Sequence, residues 1–332
     1  MSLTVDADGQ GTEDPGSSRP PVTSPAPPRA GIAPLRVVSA RISLRTRLRD
    51  IWTYRELLVG LTRKELKVKY KNSILGFFWS MLNPAAILLT YFVVFQIILK
   101  NGIPQFAIYL MSGVLIWNMF SAALPGATVS VVANSGLVKK VAFPREILAL
   151  ASVGAALVHF FFQSLVMLAF LLAFQHGPAM AYLPLVLPAL VALLMLTAGL
   201  GVLLAAVNVK LRDMQHLLDI GLNLWFWATP IVYQYRLVRD KVVGPSSTFK
   251  HVLFVLWRLN PVTPIVLAFQ RALYGRTSPR TGPTTVSHIL PDHARQWWYL
   301  WQLLAVIGFS AVLFAVALVV FGRLEGSFAE EL

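Results

Sequence analysis

Residues 182–206 read YLPLVLPALVALLMLTAGLGVLLAA, twenty-five positions in a row without an Asp, Glu, Lys or Arg. An α-helix rises about 1.5 Å per residue and a bilayer's hydrocarbon core is about 30 Å thick, so roughly 20 apolar residues make a crossing. Working outward from this run, five further segments meet that length: 75–99, 106–132, 147–174, 217–235 and 299–321. Across all six the one charged residue is Asp219, near the start of the fifth. A charge at mid-membrane costs at least about 2.5 kcal/mol, so this scarcity predicts an all-α polytopic membrane protein with six spans.

Composition agrees. Of 332 residues, 56% are hydrophobic and 13% charged, where soluble domains average about a quarter charged. With no cysteine, the chain has neither a disulfide framework nor a thiolate metal site. The net charge of +14 is read from its distribution, as membrane topology, and implies no nucleic acid partner. Thirteen Lys and Arg precede residue 75, and Lys139, Lys140, Arg145, Lys210, Arg212 and Arg323 fall in loops or the tail on the same side. The positive-inside rule then puts both termini in the cytoplasm, at the plasma (inner) membrane.

Three zones follow. Residues 1–35 are rich in Pro, Ser, Gly and acidic side chains, with no apolar run, and are expected to be a disordered cytoplasmic tail without a signal peptide. Residues 36–73 are basic and hold an amphipathic helix, with Thr53 and Glu56 at capping-box spacing and Ile51, Tyr54, Leu58 and Leu61 at helical intervals. Residues 74–332 are the membrane domain. Between spans five and six, 249–257 and 262–273 are apolar but too short to cross, and two short helices dipping in from outside fit them.

Arg63, Lys64, Lys67, Lys69 and Lys71 flank the amphipathic helix directly before the first span. Such a helix lies at the inner interface, either anchored to anionic membrane lipid or guiding an anionic headgroup to an entrance. The stretch 134–146 (NSGLVKKVAFPRE) is half apolar, through Leu137, Val138, Val141 and Phe143, with Lys139 and Lys140 between them and Pro144 ending it. It reads either as a short helix shown to a cytoplasmic partner or as a turn against its own spans. The aromatic residues Trp79, Tyr91, Phe95, Trp225, Trp227 and Tyr233 are core packing or, facing a cavity, rings on which sugars stack. Trp297, Trp298 and Trp301 suit an interfacial belt. His159 with Gln163, and Asp219 with Asn223, are four apart and suited to helix-to-helix hydrogen bonds. No GxxxxGK[ST] phosphate loop is present, and His288, Asp292 and His293 lack the spacing of a metal site.

From Arg55 to Glu331 the chain resembles the permease subunits of ABC-2-type polysaccharide exporters, the O-antigen and teichoic acid group. The resemblance rests on order and spacing. Residues 63–70 (RKELKVKY) lead into Ser73, Leu75-Gly76, Trp79 and Pro84, and Trp117-Asn118 and Phe120 follow. Then come Phe143-Pro144-Arg145, Arg212-Asp213, Pro230, Tyr233, Asn260-Pro261, Arg271, Gly275, Glu325 and Phe328. One departure is Lys210-Leu211, where the group usually has aromatic or small residues.

The resemblance implies a transport subunit that is not itself an enzyme, working as a homodimer with two copies of a separate ATPase. It needs no cofactor in this chain, since ATP and magnesium bind that partner. Leu137 to Arg145, with Glu146 closing the loop, would couple to the ATPase. Arg63, Lys64, Lys67, Lys69 and Lys71 would meet the diphosphate of a lipid-linked polysaccharide. The aromatic rings would line the channel, and Trp257, Asn260, Pro261, Pro264 and Arg271 would gate its outer mouth. Residue usage has an actinobacterial cast, which points to a cell-wall galactan on a polyprenyl diphosphate as cargo. Two other functions stay open: an ABC-2 exporter of small drugs or lipids, and a membrane glycosyltransferase using Asp240 or Asp292.

Overall fold

A computed structural model describes residues 43–70, 82, 85–86, 89–98, 103–235, 238, 257, 259–275, 280–281, 285–286, 289–291 and 295–331. The tail of 1–35, Lys71, Trp79, Asp240, His288, Asp292, His293 and most of 249–257 lie outside them. The described elements are helices α1 (Leu44–Thr53), α2 (Arg55–Tyr70), α3 (Phe106–Ala133), α4 (Ser135–Lys140), α5 (Glu146–Ala173), α6 (Val186–Lys210) and α7 (Met214–Ala228). After them come α8 (Val262–Phe269), α9 (Gln296–Leu324) and α10 (Phe328–Glu331). A 3-10 turn, Met180–Leu185, leads into α6, and a π turn, Gln270–Tyr274, continues α8. Two-residue strands, Arg280–Thr281 and Thr285–Val286, pair antiparallel.

Four of the six expected spans are continuous helices: Phe106–Ala133, Glu146–Ala173, Met180–Lys210 and Gln296–Leu324. At 28 to 31 residues each they exceed the roughly 20 needed to cross. Their exposed faces carry Phe161, Leu165 and Leu172 on α5 and Trp301, Phe309 and Val312 on α9. Apolar stripes of that length belong in lipid, and the chain is an integral membrane protein. Of the first expected span, the structure describes the helical stretch Leu89–Ile98 and isolated helical positions before it.

The fifth span starts earlier and breaks sooner than its hydropathy suggests. Helix α7 runs 15 residues and stops at Ala228. The residue before a proline avoids the helical region, and Thr229, ahead of Pro230, is extended at φ −104° and ψ 134°. Its hydroxyl donates back to Trp225 O at 2.8 Å, and the chain turns as Ile231 N donates to Thr229 O at 2.7 Å.

Helix α3 is the central post, packed on α5, α6, α7 and α8, and α9 closes the far side of α6. Between apolar helices in lipid, close backbone approach replaces the hydrophobic effect as the source of attraction. Gly199 supplies it between α6 and α9: a Cβ there would stand 3.2 Å from the backbone nitrogen of Phe314. Gly201 does the same on the other side, where a Cβ would stand 2.9 Å from that of Ala127 on α3.

The bundle has two ends. The turn between α3 and α5, the end of α6 with Lys210, and the end of α9 with Arg323 share a basic end with α1. The distal end gathers Phe106, His176, the 3-10 turn and the start of α9, where Gln296 donates to Ala181 O. Helix α8 and its π turn are buried among α3, α6 and α9 rather than crossing, as expected for the second short outer helix. Irregular backbone at this depth is tolerated because protein covers it.

Candidate functional site

At the basic end, the N-terminal segment folds as two helices that meet at Tyr54. The capping box expected at Thr53 does not form. Thr53 is the last residue of α1, its hydroxyl donating to Arg49 O at 2.9 Å, and α2 begins only after Tyr54, so Thr53 does not stand at the cap position of α2. Helix α2 lies lengthwise on α5. The Thr62 hydroxyl reaches Ala151 O at 3.4 Å, and Gly154 leaves it room, since a Cβ there would stand 2.8 Å from that oxygen. Arg63, Lys67 and Lys69 stay exposed, whereas Lys64 donates from Nζ to Asn134 Oδ1 at 2.6 Å.

The stretch 134–146 is a short helix with an extended exit. Asn134 holds the end of α3 through Nδ2 to Ser130 O at 2.8 Å, then α4 turns from Ser135 to Lys140. Val138 and Phe143 are buried and Leu137 packs against the same core. Lys139, Lys140 and Val141 face outward, Val141 half exposed. The stretch therefore has an inner face that fixes it to the bundle and an outer tip with one apolar and two cationic side chains. Pro144, Arg145 and Glu146 lead back into α5.

Four charges meet at the base of that loop. The Arg47 guanidinium of α1 donates from Nη1 to Glu146 Oε1 and from Nη2 to Glu325 Oε2, the latter at 3.2 Å. Arg145 pairs with Glu325 through Nε at 3.6 Å and donates to Glu325 O at 3.1 Å. Arg47 is 8% exposed and Glu146 1%. Arg145 also lies 5.9 Å from the centroid of the fully buried Phe328 ring. Arg47 was not legible in the sequence as a site residue, since it stands in a run of arginines and its partners Glu146 and Glu325 lie 99 and 278 residues away.

The aromatic residues form a connected stack rather than separate cavity walls. Tyr91 stacks on Phe226 at 5.9 Å, Phe95 meets Tyr91 edge-on at 6.2 Å, and Trp117 joins Phe226 at 5.4 Å. Trp225 packs edge-on against Phe120 at 5.1 Å. Of the described rings expected along a channel, Trp227 is the one largely exposed, while Tyr91, Phe95, Trp225 and Tyr233 are partly buried. Asp219 and Asn223 lie exposed on α7, as do Leu217, Ile220 and Leu224. Gln163 accepts from Asn118 at 3.3 Å, a helix-to-helix bond of the expected kind.

Toward the distal end, Asn260 knits α7 to α8. Its Oδ1 accepts from Trp225 Nε1 at 2.8 Å and from Val262 N at 3.0 Å, and its Nδ2 donates to Thr229 Oγ1 at 2.9 Å. Pro261 caps α8 and Pro264 sits in its first turn, where a missing N–H costs nothing. Trp257 donates to the Tyr233 hydroxyl at 3.3 Å. Arg271 stacks 4.3 Å from the Tyr182 ring centroid and donates to Gly275 O at 2.9 Å. Gly275 has φ +68°, a left-handed turn natural to glycine, with Ala179 pressed against it. No motif or periodicity pointed to His176, whose Nε2 is 2.7 Å from Tyr274 O, or to the buried Gln270, which donates to Pro230 O at 3.3 Å. Among the described residues, no group of three or more His, Cys, Asp or Glu is placed to hold a metal.

Known proteins resemble this chain in sequence. An O-antigen export system permease protein of Myxococcus xanthus is 30% identical over 287 residues, covering 86% of this chain and 98% of the relative. One of Klebsiella pneumoniae is 26% identical over 275 residues, covering 83% and 94%. A polysialic acid transport protein of Escherichia coli is 24% identical over 210 residues, covering 62% and 77%. Residues 56–274, which run from the start of α2 to the end of the π turn, match the family described as ABC-2 type transporter, and the chain belongs to that family.

Proposed function

We propose that this chain is the channel-forming subunit of an ATP-driven exporter that carries a polysaccharide across the plasma membrane. The observation that carries this reading is the likeness to an O-antigen export permease over 98% of that protein's length. The cargo is a lipid-linked glycan, a cell-wall galactan on a polyprenyl diphosphate. The exposed Arg63, Lys67 and Lys69 on α2 offer that diphosphate a cationic approach to the bundle.

Two copies of the chain form the channel, and two copies of a separate ATPase bind ATP and magnesium below it. The basic end faces the cytoplasm, in keeping with the clustering of Lys and Arg there. Lys139, Lys140 and Val141 form the tip that the ATPase grips, while Leu137, Val138 and Phe143 hold the tip to the bundle. The short outer helix α8, fixed by Asn260 and Arg271, closes the mouth.

The test is co-purification with its ABC ATPase subunit in detergent, then ATP hydrolysis in lipid with and without lipid-linked galactan. A two-plus-two complex whose hydrolysis responds to the glycan supports the reading. Absence of any complex with that ATPase overturns it.

A further inference from the structure

We infer that Arg47 is a positioning residue for ATPase coupling: with Glu146 and Glu325 it fastens the base of the 134–146 loop to α1 and to the segment following α9. This rests on the coupling role proposed above and adds to it two segments that the outward tip does not contain.

Charges taken from water are held only where partners meet them, and losing one partner strands the other. Glu146 is 1% exposed and begins α5, so its carboxylate depends on the Arg47 guanidinium. Arg47 is shared between two acids, Glu146 on the loop's exit and Glu325 beyond α9, which are the partners of different guanidinium nitrogens. A planar fork serves this geometry and a lysine's point charge does not. Space is reserved for it as well: a Cβ on Gly322 would stand 2.6 Å from Arg47 Cζ.

Helix α1 precedes the membrane domain, Glu146 opens α5, and Glu325 follows α9, so three separated segments close on one guanidinium. Arg145 repeats the tie, bonding Glu325 from the loop side while Phe328 packs edge-on against Phe321 at 5.3 Å. The loop entrance is held within its own turn by Asn134 to Ser130 O and to α2 by the exposed Lys64–Asn134 bond, whereas the exit is tied to α1 and the segment after α9 through buried charge. Force applied at Val141 is then delivered to α5, α1 and α9 together rather than lost in a loose loop.

The test uses the full chain with its ATPase subunit. Because Arg47→Gln alone strands a buried carboxylate, the informative variants are Arg47→Met with Glu146→Gln, which leaves no unpaired buried charge, and Glu325→Gln. The chain has no cysteine, so Val141→Cys takes a single nitroxide label that reports the motion of the tip in the chain without its ATPase, while binding and hydrolysis are read on unlabelled chains that keep Val141. The expected result is a fast-motion spectral component in both variants, retained ATPase binding, and a fall of about tenfold in kcat of glycan-responsive hydrolysis with KM for ATP nearly unchanged. Adding Glu325→Gln to the paired variant should do little more, because both break one network. An unchanged spectrum with full coupled hydrolysis overturns the inference while leaving the exporter reading in place. Failure of the wild-type chain to bind the ATPase instead overturns the reading, and the spectrum still reports the clamp.

Discussion

Lys64 and Asn134, 70 residues apart, are joined by a 2.6 Å hydrogen bond from Nζ to Oδ1, which ties α2 to the first residue of the loop that holds α4. The pair is exposed, and an exposed charge-assisted contact contributes about 0.2–1 kcal/mol. Lys64→Met and Asn134→Ala should each lower Tm by no more than a few degrees, and the double variant should lose less than the sum. Thermal unfolding of the four proteins in one detergent checks the cycle.

Among the described residues Arg63, Lys67 and Lys69 make no such bond, and the role proposed for them rests on charge. Their joint replacement by Gln should slow export of a diphosphate-linked glycan by about tenfold and weaken its dependence on ionic strength, while insertion into lipid is unchanged. Transport in proteoliposomes at low and physiological salt measures both effects. Equal rates in variant and wild type at low salt would leave these cations with lipid anchoring alone.

Val138 and Val141 are three residues apart with opposite exposures, 6% and 50%. Val138→Asp buries a carboxylate and should destabilise the chain by about 3 kcal/mol or more. Val141→Asp should leave Tm within about a degree, since surface substitutions typically stay within about 0.5 kcal/mol, yet weaken capture of the ATPase subunit. Unfolding and pull-down, run on both, separate the inner face from the tip.

Asn260→Ala removes one side chain that bonds Trp225, Thr229 and the first N–H of α8. A buried group left unpaired costs about 1–3 kcal/mol, so the loss should exceed that of Thr229→Ala. The measurement is a denaturant or thermal series on the two variants. A larger loss from Thr229→Ala would place the knot at the proline turn instead.

The membrane helices were legible because length and absence of charge are local properties. The break at Pro230 was visible as a residue, but its place as the end of α7 was not, because the hydropathy of Ile231 and Val232 continues past it. Thr53 misled for a local reason as well: capping-box spacing says nothing about where α1 ends, and Thr53 is its last residue, with Tyr54 between it and α2. For 134–146, composition announced a half-apolar loop, yet the division of inner Val138 from outer Val141 depends on where α4 ends. Arg47 was hidden most completely. Its partners are 99 and 278 residues away, and no periodicity connects positions so far apart.

That separation also orders the protein's manufacture. Arg47 is among the first of the described residues to leave the ribosome, but its second acid arrives after every described membrane helix. The loop base can therefore gain its Arg47–Glu146 tie midway through synthesis, but its second tie forms only when the last span is in place. A half-made chain therefore lacks the doubly tied loop base of the finished bundle.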